Sequence, residues 1–332
     1  MRALMVERLA PGYAGCAVVE QPIPTPGPGE VRIRVRAAAV NFPDLLMTRG
    51  EYQHRPTLPF TPGMELCGEI DALGEGVTRW ARGDAVVGGA KTGGFSQFAV
   101  AQADTLRPKP GRLSFAAASA YNAAYITAYV ALVRRAKVQP GEWVLVHGAA
   151  GGVGLACVDL AKVLGCRVIA ASASDRKLET VAAEYAPDAL VNVTDGFRDQ
   201  VKAITGGGGA DVIYDPVGGD VFDESVRCIA FDGRLLIVGF TSGRIPTVSV
   251  NMPLIKGFSV VGVRAGEYGR RFPEKGAENV QAVWRLADSG AIRPRVHAEF
   301  PLDRWREAFD LLADRNVVGK AVIRPDLWTG AD

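Results

Sequence analysis

Apolar and polar residues alternate in two different patterns along the chain. Before about Leu113 the apolar runs are short, as in Val31 to Arg36, where every second residue is an arginine. That two-residue period is typical of strands with one buried face. The preceding segment, Pro22 to Glu30, contains four prolines, which exclude a helix interior. The first part of the chain is therefore predicted to be a β-rich domain.

From Glu142 onward, continuous apolar runs alternate with amphipathic segments of helical period, as in a parallel sheet covered by helices. Helices are predicted over Val153 to Leu164 and over Asp175 to Tyr185. This inventory predicts an α/β fold whose central domain is a Rossmann domain, a doubly wound parallel sheet. Its strands are predicted at Trp143 to Val146, Arg167 to Ala171, Ala189 to Asn192, Asp211 to Tyr214, Arg234 to Val238 and Phe258 to Val263.

The last part of the chain does not continue this repeat. It contains two helix candidates, Gly276 to Ser289 and Leu302 to Arg315, and a final strand, Lys320 to Arg324. We expect it to return to the β-rich domain, which would then be discontinuous in sequence. The predicted boundaries are residues 1–122 for the first part, 123–265 for the Rossmann domain and 266–332 for the return.

Composition narrows the classes of partner. With 38 basic and 36 acidic residues the formal net charge is +2, so no one-signed field favours nucleic acid or a membrane surface. The five cysteines include no Cys-x-x-Cys pair, which argues against a disulfide framework or a cysteine metal site and favours a reducing cytoplasm. Glu7 and Arg8 interrupt any signal-peptide core. The uncharged run Leu113 to Val133 is mostly alanine with Ser, Asn and Thr, and is interpreted as a buried helix.

A glycine-rich turn follows the first Rossmann strand. The segment Val144 to Ala156 places a strand, the turn and a helix start in the order that a dinucleotide pyrophosphate loop requires. Small residues at Ala149, Gly151 and Gly154 let the backbone approach phosphates, and amides near Gly152 and Val153 face the anion from the helix N-terminus. We predict cofactor contacts from Ala150 to Val153.

The choice of nicotinamide cofactor depends on the end of the second strand, where NAD sites usually offer a carboxylate to the ribose. Here that position carries Ser172 and Ser174, and Asp175 comes later, as an expected helix cap, followed by Arg176 and Lys177. Hydroxyls and cations suit a 2′-phosphate, so Ser172, Ser174 and Lys177 predict NADPH rather than NADH. The alternative is that the two cations only cover a solvated helix face.

The chain resembles the medium-chain dehydrogenase/reductase superfamily and, within it, the zinc-independent NADPH:quinone oxidoreductases related to zeta-crystallin. Besides the glycine loop, the segments that carry this resemblance are Ala37 to Tyr52, Leu58 to Ile70, Arg82 to Val86, Thr127 to Tyr129, Asp211 to Gly219 and Asn251 to Gly266.

The resemblance implies a GroES-like β domain beside the Rossmann domain, with the active site in the cleft between them. It also implies a homodimer. Zinc-using relatives have a cysteine at the position of Asn41 and a histidine at the position of Met64, and the four-cysteine structural zinc loop has no counterpart in this sequence. No zinc and no other metal ligand are therefore expected.

The resemblance further implies that Asn41, Tyr52 and Arg264 line the cleft near the nicotinamide, with Thr127 by its ribose or carboxamide. Arg264 and Tyr52 would donate hydrogen bonds to the oxygen that gains charge during reduction, and Asn41 would orient the ring or the substrate. Backbone groups beside the nicotinamide are expected after the fifth and sixth strands, at Gly239, Phe240, Thr241, Val261 and Val263.

The function we favour is NADPH-dependent reduction of a quinone or another conjugated carbonyl, with a small hydrophobic electrophile as substrate. One alternative is reduction of a 2-enoyl thioester, in which Arg270 and Arg271 would meet phosphates. Another is a cofactor-binding protein without turnover. The apolar run Phe258 to Val263 is expected at a sheet edge, where pairing across a homodimer would cover it.

Overall fold

A computed structural model describes residues 1–330, and the bounds of its elements are as follows. The strands are β1 (Arg2–Val6), β2 (Cys16–Glu20), β3 (Glu30–Ala39), β4 (Glu65–Leu73), β5 (Ala85–Gly88), β6 (Phe98–Gln102), β7 (Arg107–Pro108), β8 (Trp143–Val146), β9 (Arg167–Ser172), β10 (Ala189–Asn192), β11 (Ala210–Asp215), β12 (Ile229–Ile237), β13 (Ser259–Gly262), β14 (Val296–Pro301) and β15 (Lys320–Arg324). The helices are α1 (Phe42–Arg49), α2 (Phe115–Tyr129), α3 (Gly152–Val163), α4 (Asp175–Tyr185), α5 (Arg198–Ile204), α6 (Gly219–Cys228), α7 (Asn251–Lys256), α8 (Ala265–Arg271), α9 (Pro273–Ser289) and α10 (Trp305–Ala313).

The described chain forms two units. The first unit contains residues 1–122 and the chain from Pro294 onward, and the second contains residues 123–293. In the first unit a sheet runs in the order β14-β15-β3-β4-β5-β7, with β6 also paired to β3, and β1 and β2 form a separate antiparallel pair. This is the β-rich domain that the two-residue period predicts.

The C-terminal segment contributes to the core of the first unit. Phe309 of α10 is fully buried and makes edge contacts with the rings of Tyr13 and Phe95, with centroids 5.3 Å and 5.8 Å apart. Aromatic pairs in this geometry bury large apolar areas and prefer such tilted contacts. Because β15 also pairs with β3, the first unit is discontinuous in sequence.

The second unit is built on a six-stranded parallel sheet in the order β10-β9-β8-β11-β12-β13. Numbered from β8, this is the 3-2-1-4-5-6 order of a dinucleotide-binding sheet. The predicted α/β fold class is confirmed, and each predicted strand of this sheet is present with ends shifted by five residues at most.

The chain returns to the first unit after Arg293, so the predicted boundary at residue 266 is too early. Helices α8 and α9 stay with the second unit, because the Arg134 guanidinium donates to Asn279 Oδ1 at 2.7 Å and to Glu278 at 2.6 Å. Val283, on the same helix as these two residues, is fully buried. The backbone N–H of Arg293 then donates to Asp159 Oδ2 at 2.6 Å, and the chain leaves the unit only after that bond.

Helix α2 and the π-helical segment that continues it, Val130–Ala136, correspond to the uncharged alanine-rich run. Together they are long and apolar enough to cross a bilayer, but 61% of their most apolar window is buried inside the protein. That burial agrees with the interpretation of this run as a core helix.

Candidate functional site

The glycine loop connects β8 to α3 at the carboxyl edge of the parallel sheet. Gly148 has φ of +57°, which favours glycine, and the Gly151 N–H donates to the Gly148 carbonyl at 2.8 Å to close the turn. A Cβ atom added at Gly154 would lie 2.1 Å from the Gly148 carbonyl oxygen. Helix α3 can therefore approach the loop this closely only with glycine at position 154.

The first turn of α3 provides the donors that an anion needs. Gly151 is the residue before the helix, and no side chain caps it. The first helical hydrogen bond runs from the Leu155 N–H to the Gly151 carbonyl at 2.8 Å, so the N–H groups of Gly152 and Val153 precede the intrahelical ladder. Ala150, in the loop before this turn, is buried. Gly151, Gly152 and Val153 are half-buried, and their backbone N–H groups fit a pyrophosphate.

His147 lies between β8 and the glycine loop, and its side chain is buried. Ser225 Oγ donates its proton to the Val221 carbonyl at 2.7 Å, so it accepts the 2.9 Å hydrogen bond from His147 Nε2. The imidazole also meets the Phe197 ring edge-on at 4.8 Å. Burial lowers the pKa of His147 to about 3, so the ring is neutral and serves as packing.

The residues expected to choose between NADPH and NADH follow β9 on the sheet edge that bears the loop. Ser172 ends β9, and Ser174 is the residue before α4. The Ser174 carbonyl accepts the Lys177 N–H at 3.1 Å. Asp175 is the first residue of α4, so the expectation that it caps the helix is wrong, since Ser174 occupies that position. The Asp175 carboxylate instead accepts a 2.7 Å hydrogen bond from Asn192 Nδ2.

The segment after β12 is fixed against the turn that ends β11. The Pro216 carbonyl accepts the Thr241 N–H and its hydroxyl, both at 3.1 Å, and a Cβ added at Gly239 would lie 3.2 Å from the same oxygen. Asp215 Oδ1 accepts the Val217 and Gly218 N–H groups, each at 2.8 Å. Gly239, Phe240 and Thr241 are thus brought to the carboxyl edge, with 40% of Phe240 exposed.

The sixth strand brings three more predicted residues to that edge. Val261 pairs with Leu236 in β12, and the Val263 N–H donates to the Ile237 carbonyl at 2.8 Å. Arg264 follows at once as the exposed residue before α8. Thr127 lies instead on α2, where its hydroxyl donates to the Ala123 carbonyl at 2.7 Å and keeps only acceptor capacity.

In the first unit, Asn41 is the residue before α1, and its carboxamide is bound on both sides. Its Nδ2 donates to Glu65 Oε1 at 3.0 Å and to the Ala39 carbonyl at 3.3 Å, while its Oδ1 accepts from Lys320 Nζ. Lys320 Nζ also lies 3.0 Å from Glu65 Oε1, and both of these side chains are buried. Sequence reasoning did not place Lys320 or Glu65 in the site.

The other predicted residue of the first unit lies on a small apolar cluster. Tyr52 and Met64 both pack against the buried side chains of Val6, Met47 and Phe60. Since Met47 belongs to α1, this cluster includes a residue of the helix that follows Asn41. The structure thus groups Tyr52 with Met64 and groups Asn41 with Glu65.

Asp44 fixes the start of α1 and is fully buried. Its carboxylate accepts the Asn41 N–H at 2.8 Å and the Gly63 N–H at 3.0 Å. Burial raises the pKa of Asp44 to about 7, although both hydrogen bonds and the charge of Lys320 act in the opposite direction. Asp44 therefore ties the Asn41 backbone to the turn that leads into Glu65.

Lys320 and Glu65 could have been noticed in the sequence, because each is a charged residue directly before the apolar residues of a strand. Lys320 opens the run Ala321 to Ile323 and Glu65 opens β4, and a charged residue at such a position is rarely buried without a partner. Their opposite signs would have suggested pairing, but the partner could not be identified without the sheet order. Within residues 1–330, no group of three or more His, Cys, Asp or Glu residues is arranged to hold a metal ion.

Comparison with known proteins gives two family matches. Residues 27–111 match the alcohol dehydrogenase GroES-like domain, and residues 152–284 match the zinc-binding dehydrogenase family. The first match lies in the β-rich unit and the second begins on the glycine loop. Together they account for the predicted pairing of a GroES-like domain with a Rossmann domain.

Individual relatives match over most of the chain. A quinone oxidoreductase-like protein 2 homolog of Nematostella vectensis is 39% identical over 86% of this chain and 79% of its own. A probable oxidoreductase of Mycobacterium abscessus is 35% identical, with a TM-score of 0.88 over 98% of this chain and 99% of its own. The Escherichia coli quinone oxidoreductase complexed with NADPH is 28% identical, with a TM-score of 0.87 over 98% of this chain and 100% of its own. The chain is therefore an oxidoreductase that belongs to the quinone oxidoreductase-like group of the medium-chain dehydrogenase/reductase superfamily.

Proposed function

We propose that the protein transfers hydride from NADPH to a quinone or another small conjugated carbonyl, without zinc. The observation that carries the proposal is the uncapped first turn of α3, held against Gly148 by Gly154 at the centre of the Rossmann sheet. Two quinone oxidoreductase-type relatives, one of them complexed with NADPH, support the same reading. NADPH, when bound, supplies the hydride, and the protein supplies binding, orientation and electrostatics.

The preference for NADPH over NADH rests on the residues that follow β9. Asp175 is the nearest carboxylate to the strand end where an NAD site offers one to the ribose, and it is already bound to Asn192. Ser172, Ser174 and Lys177 bring hydroxyl and ammonium groups to that edge, and these suit a 2′-phosphate.

The proposed absence of catalytic zinc rests on the residue types at two positions. Where zinc-using relatives supply a thiolate and an imidazole, this chain has the amide of Asn41 and the thioether of Met64. The ammonium of Lys320 is bound to Asn41 and to Glu65. The Glu65 carboxylate at this point is therefore already paired with an ammonium.

For the reaction itself we assign two donors. Arg264, at the carboxyl edge of the second unit, and the phenol of Tyr52, in the first unit, donate hydrogen bonds to the acceptor oxygen that gains negative charge. Asn41, Thr127 and the backbone of Gly239 to Thr241, Val261 and Val263 hold the nicotinamide half of the cofactor. The dinucleotide fold gives the dominant contribution, which is orientation of the two reactants.

We further propose that the protein is a cytoplasmic homodimer joined through the β13 edge of the Rossmann sheet. In the part of the chain that the structure describes, β13 pairs with β12 and no strand pairs with its other side. The same region of the second unit exposes Phe231, Val250, Leu254 and Ile255, each by more than 70%. A pairing of two such edges covers both the backbone and the apolar surface. We propose no membrane or nucleic-acid partner, in keeping with the near-neutral charge.

The enoyl-thioester alternative receives less support from the site. Its suggested phosphate anchors, Arg270 and Arg271, both bind the Glu267 carboxylate at 2.9 Å. These two cations hold the pKa of Glu267 below its usual value, so the carboxylate stays ionised and competes with a phosphate. All three groups are partly or well exposed, and the competition is correspondingly modest.

The proposal is tested by following NADPH absorbance with purified protein and four acceptors: 1,4-benzoquinone, 9,10-phenanthrenequinone, an alkenal and crotonyl-CoA. We expect turnover with at least one quinone or the alkenal. Turnover with crotonyl-CoA alone would establish the thioester alternative. Tight NADPH binding without turnover of any acceptor would favour the alternative of a cofactor-binding protein without turnover.

A further inference from the structure

The antiparallel register of three strands brings Asn41, Glu65 and Lys320 together. Ala39, at the end of β3, pairs with Glu65 of β4 on one side and with Val322 of β15 on the other. The Val40 N–H donates to the Ala321 carbonyl at 2.9 Å, which continues the β15 register one residue further. One more step along the same register sets Asn41 opposite Lys320.

The chemistry of the two partners determines which way the Asn41 amide faces. An ammonium group only donates, so the carboxamide atom beside Lys320 must be Oδ1. A carboxylate only accepts, so the atom beside Glu65 must be Nδ2. The opposite orientation would place two donors together at Lys320 and two acceptors together at Glu65.

A count of hydrogen atoms shows what Asn41 can still offer. Its amide nitrogen carries two protons, and these go to Glu65 Oε1 at 3.0 Å and to the Ala39 carbonyl at 3.3 Å. Its Oδ1 accepts from Lys320 and also faces the Asp44 N–H in the capping box of α1, although that N–H makes its 2.9 Å hydrogen bond to the Asn41 carbonyl. Because no amide proton is left, any further hydrogen bond of the half-exposed Asn41 side chain must be accepted by Oδ1.

The Lys320–Glu65 pair is also costly to keep in the interior. Exposed fractions are only 10% for the Lys320 side chain and 3% for that of Glu65. Buried ion pairs seldom stabilise a fold more than apolar residues of the same size would, and their best attested use is to fix a specific arrangement. The arrangement that this pair fixes is the carboxamide of Asn41.

We propose that Lys320 and Glu65 are positioning residues that hold Asn41 as a hydrogen-bond acceptor for an N–H or O–H group on the nicotinamide half of the cofactor. This inference rests on the proposed NADPH-dependent function. Lys320 and Glu65 act through Asn41 and do not touch the reacting atoms. The carboxamide and the ribose hydroxyls are the donor groups of that half of NADPH.

The test is a double-mutant cycle between Lys320→Met and Asn41→Ala, read as kcat and as the NADPH dissociation constant. Each single substitution should lower kcat about tenfold, as expected for loss of a charge-assisted hydrogen bond that orients a reactant. In the Asn41→Ala background, Lys320→Met should have no further effect. If the two reductions of kcat multiply in the double variant, Lys320 acts independently of Asn41 and the proposal is overturned.

Two further variants separate positioning from folding. Lys320→Met with Glu65→Gln removes both charges but keeps an acceptor for Asn41 Nδ2, so this protein should fold and still show the low kcat. Recovery of wild-type kcat in it would contradict the proposal. Arg32→Met is the matched control, because Arg32 of β3 pairs with Asp71 of β4 at 2.5 Å in the same sheet. It should lower thermal stability and leave kcat unchanged.

Failure of the proposed function would be recognised separately. A wild-type protein that binds NADPH but reduces no acceptor refutes the reductase function, and the cycle is then decided by the dissociation constants alone. A wild-type protein that does not bind NADPH refutes both.

Discussion

The carbonyl oxygen of Gly148 lies where a side chain at Gly154 would have to begin. A Cβ atom at position 154 would be 2.1 Å from that oxygen, so Gly154→Ala must push α3 away from the loop. We expect the NADPH dissociation constant to rise at least about tenfold, because donors at a helix N-terminus lose strength steeply with distance. Fluorescence titration of NADPH measures it.

Gly208→Ala is the control for this prediction. Its added Cβ would meet only the Thr205 carbonyl at 3.7 Å, an ordinary contact, in a turn remote from the glycine loop in sequence. NADPH affinity should be unchanged in this variant. Equal affinity in the two variants would show that the glycine loop does not hold the cofactor.

Lys177→Ala tests the cofactor preference. If the ammonium binds the 2′-phosphate, its loss should weaken NADPH about tenfold or more and leave NADH affinity unchanged, as for a charge-assisted hydrogen bond. Lys162→Ala is a suitable control, since Lys162 lies in the last turn of α3 and binds Asp188 at 2.9 Å. An unchanged NADPH to NADH ratio in Lys177→Ala would remove this residue from the assignment.

Arg264→Ala and Tyr52→Phe test the two proposed donors to the acceptor oxygen. Loss of one such donor typically lowers kcat by about 10². The NADPH dissociation constant should change far less, because both side chains are assigned to the acceptor. Steady-state kinetics with a quinone, combined with NADPH titration, separate the two quantities. Wild-type kcat in both variants would exclude these residues from the mechanism.

We predict that His147 makes the free energy of unfolding depend on pH in a specific range. Its pKa is depressed to about 3 by burial, so the folded state binds a proton less readily than the unfolded state. Its contribution is complete above the usual histidine pKa of about 6.5 and is lost as the pH falls towards 3. In His147→Leu, the free energy of unfolding should therefore fall less steeply over that range.

The comparison must be made as a difference between variant and wild type. Asp44 acts in the opposite direction, because its pKa is raised to about 7 and its contribution is lost as the pH rises towards that value. Denaturant unfolding of both proteins at several pH values cancels this common contribution. Parallel curves for the two proteins would show that His147 is not the buried neutral group described here.

The proposed dimer is tested by Leu254→Lys. Leu254 of α7 is 81% exposed beside the β13 edge, and a charge in an apolar interface opposes association. Sedimentation equilibrium should give a dimer for wild type and a monomer for the variant. Leu190→Lys, on β10 at the opposite edge of the sheet, should remain dimeric. A monomeric wild type would refute the dimer.

Local sequence patterns predict the Rossmann sheet of this chain well, because each of its strands contains a short apolar run. The start of β12 is predicted five residues too late, because Asp232, Gly233 and Arg234 interrupt its apolar residues. The glycine loop is predictable for the same reason, since Gly148 contacts near neighbours in sequence there, namely Gly151 and Gly154. The return to the first unit was misplaced because Arg134 and Asn279, which hold α9 in the second unit, lie 145 residues apart in sequence.

The Asn41–Glu65–Lys320 group could not be predicted for the same reason. Its members come together only through the pairing of β3 with both β4 and β15, and β15 lies almost at the end of the chain. A single buried lysine indicates that a partner exists without identifying it. Long-range register is the physical information that local periodicity lacks.

We propose that this chain reduces a conjugated carbonyl with hydride from NADPH and needs no metal to do so. The most direct measurement is the initial rate of NADPH oxidation with 9,10-phenanthrenequinone, using wild-type protein dialysed against a chelator. We predict a rate that saturates in both NADPH and quinone and is unaffected by the dialysis. A rate equal to that of buffer alone with this quinone, with 1,4-benzoquinone and with the alkenal, or a rate restored only by added zinc, would contradict the proposal.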